Sequence, residues 1–353
     1  MIPDDNELSL KSLRNFNSPL RSLLMIALIF VILVGMNATS YLINMFVLSL
    51  ILAMIGTPLL YMLKKRGLSD IMSVTLIMSL YAVILALFIC LMYESFFVLI
   101  SRLPKYNDLL EIRLADLDTL LGGFGINPEG IINLSDHWDV ISNILVRAAG
   151  DLSSLVMNGF FIFVTTGFLL LEIPALPKRL EKISNGDGIL SERYHEMCDS
   201  MITWLVVKTK TNLVLGASFG GLLLVLGVDL ALFWAFLAVI LSYIPYIGFI
   251  IVAIPAIVLA WLELGIEGVI VLIVGICIIN AVVENVVFSK FAARGFNMPP
   301  ILVVLSLILW TWVLGPVGML ISVPFTLMIL IALRYNESTQ WISTMFGLDD
   351  EGD

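Results

Sequence analysis

Apolar residues run along this chain in blocks too long and too continuous for a soluble core. A helix needs about 20 apolar residues to cross the hydrocarbon of a bilayer. Such runs occupy residues 20 to 36, 41 to 63, 71 to 100, 152 to 173, 204 to 228 and 266 to 288. Two further blocks, 230 to 262 and 298 to 333, are each too long for one crossing, and each is interrupted near its middle, by IPYIG and by LGPVG. Breakers there split each block into two arms of roughly 14 to 17 residues. The pattern predicts an all-α polytopic membrane protein with about six spanning helices plus two Pro/Gly-broken helical hairpins.

Lysine and arginine in short loops set the orientation. Lys11, Arg14 and Arg21 precede the first run, and Lys64, Lys65 and Arg66 follow the second, so both ends of that pair are placed in the cytoplasm. The third run then leads outward to a polar segment at 101 to 150, the fourth returns to PKRLEK at 177 to 182, and the fifth climbs to Asp229. The first broken block therefore starts and ends outside, between Asp229 and Glu263. The second starts after SKFAARG at 289 to 295 and closes at Arg334, inside. One hairpin dips inward and the other outward, an inverted repeat in which Pro245, Gly248 and Pro255 answer Pro316, Gly318 and Pro324. Interrupted segments at matching places in two inverted halves point to a transporter binding site near the midplane. Bare backbone at that depth needs protein or a water-filled cavity to satisfy it, so the two tips are expected to meet around a polar cavity. Tyr246 and Gly315 lie at the tips; Gly248 and Gly318 suit left-handed or close-approach backbone, and Pro245 and Pro316 fix the turns.

The polar segment carries its own period. Leu110, Leu114, Leu117, Leu121 and Phe124 recur at three- and four-residue steps, GGFGINPEG interrupts, and Trp138, Ile141, Leu145, Ala148 and Leu152 resume a stripe. Two amphipathic helices follow from this. The chain divides into an N-terminal three-helix membrane region (1–100), an extracytoplasmic amphipathic segment (101–150), a fourth membrane helix with a cytoplasmic linker (151–203), a transport core of two helix-plus-hairpin repeats (204–335) and an acidic cytoplasmic tail (336–353).

Composition supports the membrane reading and narrows the function. Of 353 residues, 60% are hydrophobic and 13% charged, outside soluble proportions. No cleavable leader is evident, since the first apolar run is long and is followed by another rather than by a small-residue cleavage site. A net charge of −9 argues against a nucleic-acid partner. Cys90, Cys198 and Cys277 are scattered, without disulfide or zinc spacing. Only two histidines occur, and there is no nucleophile or phosphate-loop motif. The expectation is a non-enzyme with no cofactor and no resident metal, multi-pass in the cytoplasmic membrane with both termini in the cytoplasm.

Ionisable groups inside spans are candidate functional residues. Asn280 and Glu284 are four apart and share a helix face, with Asn285 beside them. A carboxylate among carboxamides suits transient binding of a monovalent cation or proton exchange; equally, Glu284 lies six residues before Lys290 and can pair near the cytoplasmic end. Lys208 and Lys210 open the fifth run as markers of the inner interface, with anion attraction as the other reading. Asp229, Glu263 and Glu267 read as solvated loop charge. Glu94 and Arg102, eight apart, are assigned no direct pairing, and Trp310 and Trp312 read as packing residues.

LSYIPYIGFIIVAIPA (241–256), the Asn280, Glu284-Asn285 pattern and LGPVGMLISVPFT (314–326) resemble the AI-2E family of autoinducer-2 exporter-like transporters. The layout matches over nearly the whole chain, the motifs between about 240 and 326. Ser289-Lys290 stands where the family usually has a Pro-basic pair, and Ala293 where it has a glycine. The resemblance implies a permease exporting a small polar solute such as autoinducer-2. Some family members are instead described as sodium or lithium ion/proton antiporters. It also implies a homo-oligomer, with a pentamer as one form. A membrane scaffold or assembly protein, its polar insert binding partners, is the remaining reading from another class.

Overall fold

The computed structural model describes residues 18–122, 152–176, 179, 188–288, 298–335 and 339–346, and every regular element among them is helical. In chain order these are α1 (Ser18–Ala38), α2 (Ser40–Lys65), α3 (Asp70–Gly122), α4 (Leu152–Glu172), α5 (Gly188–Leu226), α6 (Ala231–Leu241), α7 (Gly248–Val282), α8 (Pro300–Leu314), α9 (Pro316–Arg334) and the short α10 (Gln340–Met345). Long apolar faces of α1, α7 and α8 stay exposed, Leu23, Ile26, Phe30, Ile270 and Ile308 among them. That arrangement is stable in lipid and not in water. The protein is an all-α, multi-pass membrane protein.

Six helices are long and apolar enough to cross: Ser40–Lys65, Asp70–Arg102, Met157–Ala175, His195–Leu226, Gly248–Phe288 and Pro316–Arg334. The set differs from the sequence expectation: the run at 20 to 36 enters as the shorter apolar helix Leu23–Ala38, the run at 266 to 288 is continuous with the returning arm of hairpin 1, and α9, an arm of the second hairpin, has 19 residues, more than the arms were expected to have. Two boundaries also move. α5 begins at Gly188, so the polar stretch before residue 204 is already helical. α3 runs on unbroken for 53 residues, about 80 Å at 1.5 Å per residue. It continues because its stripe of Leu99, Tyr106, Leu109, Leu110 and Leu114 finds apolar partners on hairpin 1, among them Leu259 and Leu262, and in Val228 in the turn before it. Phe124 and the second stripe from Trp138 to Ala148 lie outside the described residues, as do Ser289, Lys290 and Ala293.

Hairpin 1 consists of α6, a turn at 242–247 and the first part of α7, which is divided by Gly265 (φ 73°, ψ −163°) from the final crossing. Hairpin 2 is α8 and α9 joined at Gly315. α5 and α6 pack closely through small residues, as membrane helices do where bulk would hold backbones apart. A Cβ on Gly220 would stand 2.5 Å from Ala235 Cβ, and one on Gly216 2.4 Å from Val239 Cγ2. α2 and α4 are joined by hydroxyls, Ser49 Oγ donating to Ile162 O at 3.2 Å and Thr166 Oγ1 to Ser49 O at 3.4 Å.

Candidate functional site

Both hairpin tips are built on the same device. At tip 1, a Cβ on Gly248 would lie 1.7 Å from Leu241 O; at tip 2, one on Gly318 would lie 1.8 Å from Trp310 O. Each glycine lets the returning helix start against the last carbonyls of the outgoing one. The expected close approach is therefore present at both, while the left-handed backbone falls on neighbours: Tyr246 (φ 62°) at tip 1 and Gly315 (φ 65°) at tip 2. Glycine adopts that region freely. An aromatic residue there is strained, by about 1 to 2 kcal/mol.

The tips do not meet. Asn37 Nδ2 donates to Trp312 O at 2.7 Å and Val313 O at 3.3 Å, and Asn44 Nδ2 donates to Leu314 O at 3.0 Å. Those asparagines flank the α1–α2 turn, so tip 2 lies at that end of the bundle, its orphan helix-end carbonyls satisfied by side chains. Tip 1 points the other way. Tyr243 packs on a cluster containing Met54, Trp204, Val303, Val323 and Leu327. That cluster takes Val303 from near the start of α8 and Leu327 from the second half of α9, so Tyr243 lies toward the base of hairpin 2, away from Gly315. A shared midplane cavity was expected where the tips meet; α9, at 19 residues longer than the arms were expected to be, instead accompanies tip 2 to the α1–α2 end of the bundle.

What gathers around tip 1 is a polar layer. Thr209 on α5 and Tyr243 share a hydrogen bond of 2.5 Å, and Thr209 also donates to Leu205 O. One turn along α5, Asn212 is 1% exposed and donates through Nδ2 to Val239 O at 3.2 Å. Its Oδ1 has no hydrogen-bond partner, and neither does the buried Ser242 Oγ beside Tyr243. Buried polar atoms without partners cost about 1 to 3 kcal/mol each. Lys208, a neighbour of Thr209, is buried, with Nζ 3.6 Å from Glu284 Oε1 and 5.8 Å from the Phe288 ring centroid. This replaces the reading of Lys208 as an interfacial marker: it turns into the bundle. Lys210 is exposed.

Glu284 falls in a π-helical turn, Val283–Phe288, the kind of local distortion common at functional positions. Its partner is Lys208. Asn285 does not join it, because its Nδ2 donates to Ala281 O at 2.9 Å in its own helix; Asn280 is exposed. Pro255 is exposed on α7, and Pro324 is buried in α9. Trp310 packs edge-on against Phe325 at 5.1 Å and donates to Thr326 Oγ1, while Trp312 stacks on Phe30. Both tryptophans pack, as expected. Of the sequence candidates, the fold thus groups Pro245, Tyr246 and Gly248 at tip 1, sets Glu284 against Lys208 on α5, the neighbour of the Thr209 that bonds Tyr243, and holds Gly315, Pro316 and Gly318 at the other end.

A family model, AI-2E family transporter, matches residues 22–337. The chain belongs to the AI-2E transporter family. Similar proteins include the "AI-2 transport protein TqsA" of Escherichia coli K12, 29% identical over 332 residues, covering 92% of this chain and 95% of that one. A "Putative transport protein" of Haemophilus influenzae is 31% identical over 335 residues, covering 93% and 96%. The "Putative transport protein YhhT" of Escherichia coli K12 is 29% identical over 306 residues, covering 86% and 87%. This AI-2E family protein is accordingly a membrane transporter. Sequence reasoning missed Asn37, Asn44, Asn212 and Tyr243. The available signal was carboxamides inside apolar runs, where an unpaired amide is costly and so implies a partner.

Proposed function

We propose that this transporter is a permease that moves a small polar solute across the membrane by alternating access, with α5 and hairpin 1 as the moving pair and tip 1 as the site. Autoinducer-2 is the first solute to test, since the relative TqsA carries that name. One observation supports this reading above the others. The interface between α5 and tip 1 buries Asn212 Oδ1 and Ser242 Oγ without partners, next to the Lys208 and Glu284 pair. A solute bearing hydroxyls satisfies such atoms when the interface parts, so the closed state's cost is recovered on binding. The strained Tyr246 and the π turn sit where two discrete backbone arrangements are needed.

Cation/proton antiport at Glu284 is less well supported. A monovalent cation at that carboxylate meets the Lys208 ammonium, and two like charges about 4 Å apart repel by about 4 kcal/mol at an effective dielectric of 20. The test is reconstitution into proteoliposomes. Labelled autoinducer-2 is loaded on one side and its crossing timed, and separate vesicles with an internal pH dye receive sodium or lithium pulses. Solute movement slowed in Asn212→Leu, without cation-driven proton flux in wild type, is the expected result. Proton flux on sodium or lithium pulses, lost in Glu284→Gln, establishes antiport and removes this reading.

A further inference from the structure

Away from the polar layer, at the base of hairpin 1, four side chains of α3 and the hairpin converge. Arg102 forms an ion pair with Asp229 Oδ2, and Tyr106 OH donates to the same oxygen at 2.8 Å. Arg102 and Tyr106 are four apart on α3 and so present one face. The Asp229 backbone N–H donates to Glu263 Oε2 at 3.0 Å, which brings the two carboxyl groups side by side. Seven residues beyond Tyr106, Arg113 donates from Nε to Leu262 O at 3.3 Å and from Nη2 to Glu263 O at 3.4 Å. Its guanidinium lies 3.1 Å from where a Cβ on Gly265 would stand. Asp229 begins the hairpin and Glu263 ends it, so the extension of α3 grips both ends of the element whose tip carries the candidate site. These charges were expected to be solvated loop residues. The fold partly buries them because α3 continues past the membrane and lies against the loops.

Among the described residues, only one of the two acids has a cation bonded to its carboxylate. The groups facing the pair are Arg102, Lys105 and Tyr106 from α3, and only Arg102 makes an ion pair, with Asp229. Two carboxylates in contact repel, whereas one proton between them makes a short, strong hydrogen bond.

We infer that Asp229 and Glu263 form a proton-binding carboxyl pair that latches the base of hairpin 1 to the α3 extension. Glu263 carries the proton and donates it to the Asp229 carboxylate; when the proton leaves to solvent, the two anions separate and the grip loosens. Nothing in the transport reading requires this, and the pair lies at the opposite end of hairpin 1 from Tyr243. The electrostatics agree. Burial, then the Asp229 carboxylate beside it, pushes Glu263 up to about 7, against the pull of the Asp229 N–H and Lys105. Burial also raises Asp229, but hydrogen bonds from Glu263, Tyr106 and Arg102 outweigh it and hold that carboxyl below the usual range. Burial and Asp229 push the Tyr106 phenol up, so it stays a donor.

The experiment is pH-difference infrared spectroscopy on the full chain in proteoliposomes, from about pH 5 to about 9, with hydrogen exchange of the α3 extension over the same range. Wild type is expected to show a protonated carboxyl band that bleaches with a midpoint near 7. Exchange of the extension, corrected for intrinsic rate, should then rise about tenfold across the transition. In Glu263→Gln the band is absent and exchange is flat with pH; in Asp229→Asn the midpoint falls toward the ordinary carboxylate range. A wild-type band that titrates only below about pH 5, or one that persists in Glu263→Gln, overturns the proposal. Should Glu263→Gln fail to insert, Asp229→Asn decides: an unmoved midpoint overturns the pairing, and a lowered one sustains it.

Discussion

Adding one methyl group at Gly248 tests the construction of tip 1. The new Cβ would stand 1.7 Å from Leu241 O and 3.2 Å from Ile244 Cβ. The carbonyl belongs to the backbone of α6, not to a side chain that can rotate away. An ordinary carbon to oxygen contact is about 3.3 Å, so α6 and α7 must separate by more than an ångström at their closest point. Overpacking of this kind costs about 3 kcal/mol, a shift of about 150-fold in the unfolding equilibrium. Gly221 is the internal control: it is helical in α5, and a Cβ there meets nothing within 4 Å. Gly221→Ala should be neutral or stabilising by about 0.5 to 1 kcal/mol through helix propensity. Both variants are compared with wild type by reversible unfolding in mixed micelles of increasing denaturing detergent. The midpoint should fall sharply for Gly248→Ala and hold or rise for Gly221→Ala. If Gly248→Ala unfolds at the wild-type midpoint, the close approach of the two arms is not how tip 1 is built.

Three further outcomes follow from the same geometry. Asn44→Leu removes the donor to Leu314 O and should destabilise by about 1 to 3 kcal/mol, with faster hydrogen exchange at 314–318 as the local sign. Glu284→Gln leaves the buried Lys208 ammonium without its half-exposed carboxylate and should cost about 1 to 2 kcal/mol, while the double variant Lys208→Met/Glu284→Gln should recover most of it; a double-mutant cycle in the same unfolding assay measures this. The raised Glu263 binds a proton in the folded state at pH values where the unfolded chain does not. Its stabilisation is therefore complete below about 4.5 and is lost as pH rises through about 7. Allowing for solvent at a partly exposed carboxyl, the loss is about 1 to 2 kcal/mol. Unfolding midpoints across that window should decline in wild type and stay level in Glu263→Gln.

The sequence alone determined the solvent, the helices and the two breaks. Apolar runs near 20 residues leave no alternative in a medium that cannot hydrogen-bond backbone, and IPYIG and LGPVG mark turns because proline and glycine act locally. Gly248 and Gly318 were legible for the same reason, since a glycine placed just past a breaker signals close backbone. What the sequence left open depends on how far each arm reaches and on what lies beside it. The asparagines flanking the α1–α2 turn decided where tip 2 is held, and the uninterrupted α3 decided that Asp229 and Glu263 are gripped instead of solvated. Lys208 shows the same limit: its place at the start of an apolar run fits an interfacial anchor, and only the neighbouring π turn, bringing Glu284 across from α7, turns it inward. Local patterns record covalent geometry and hydropathy, whereas the pairing of charges separated by 76 positions, as Lys208 and Glu284 are, is set by which helices pack together.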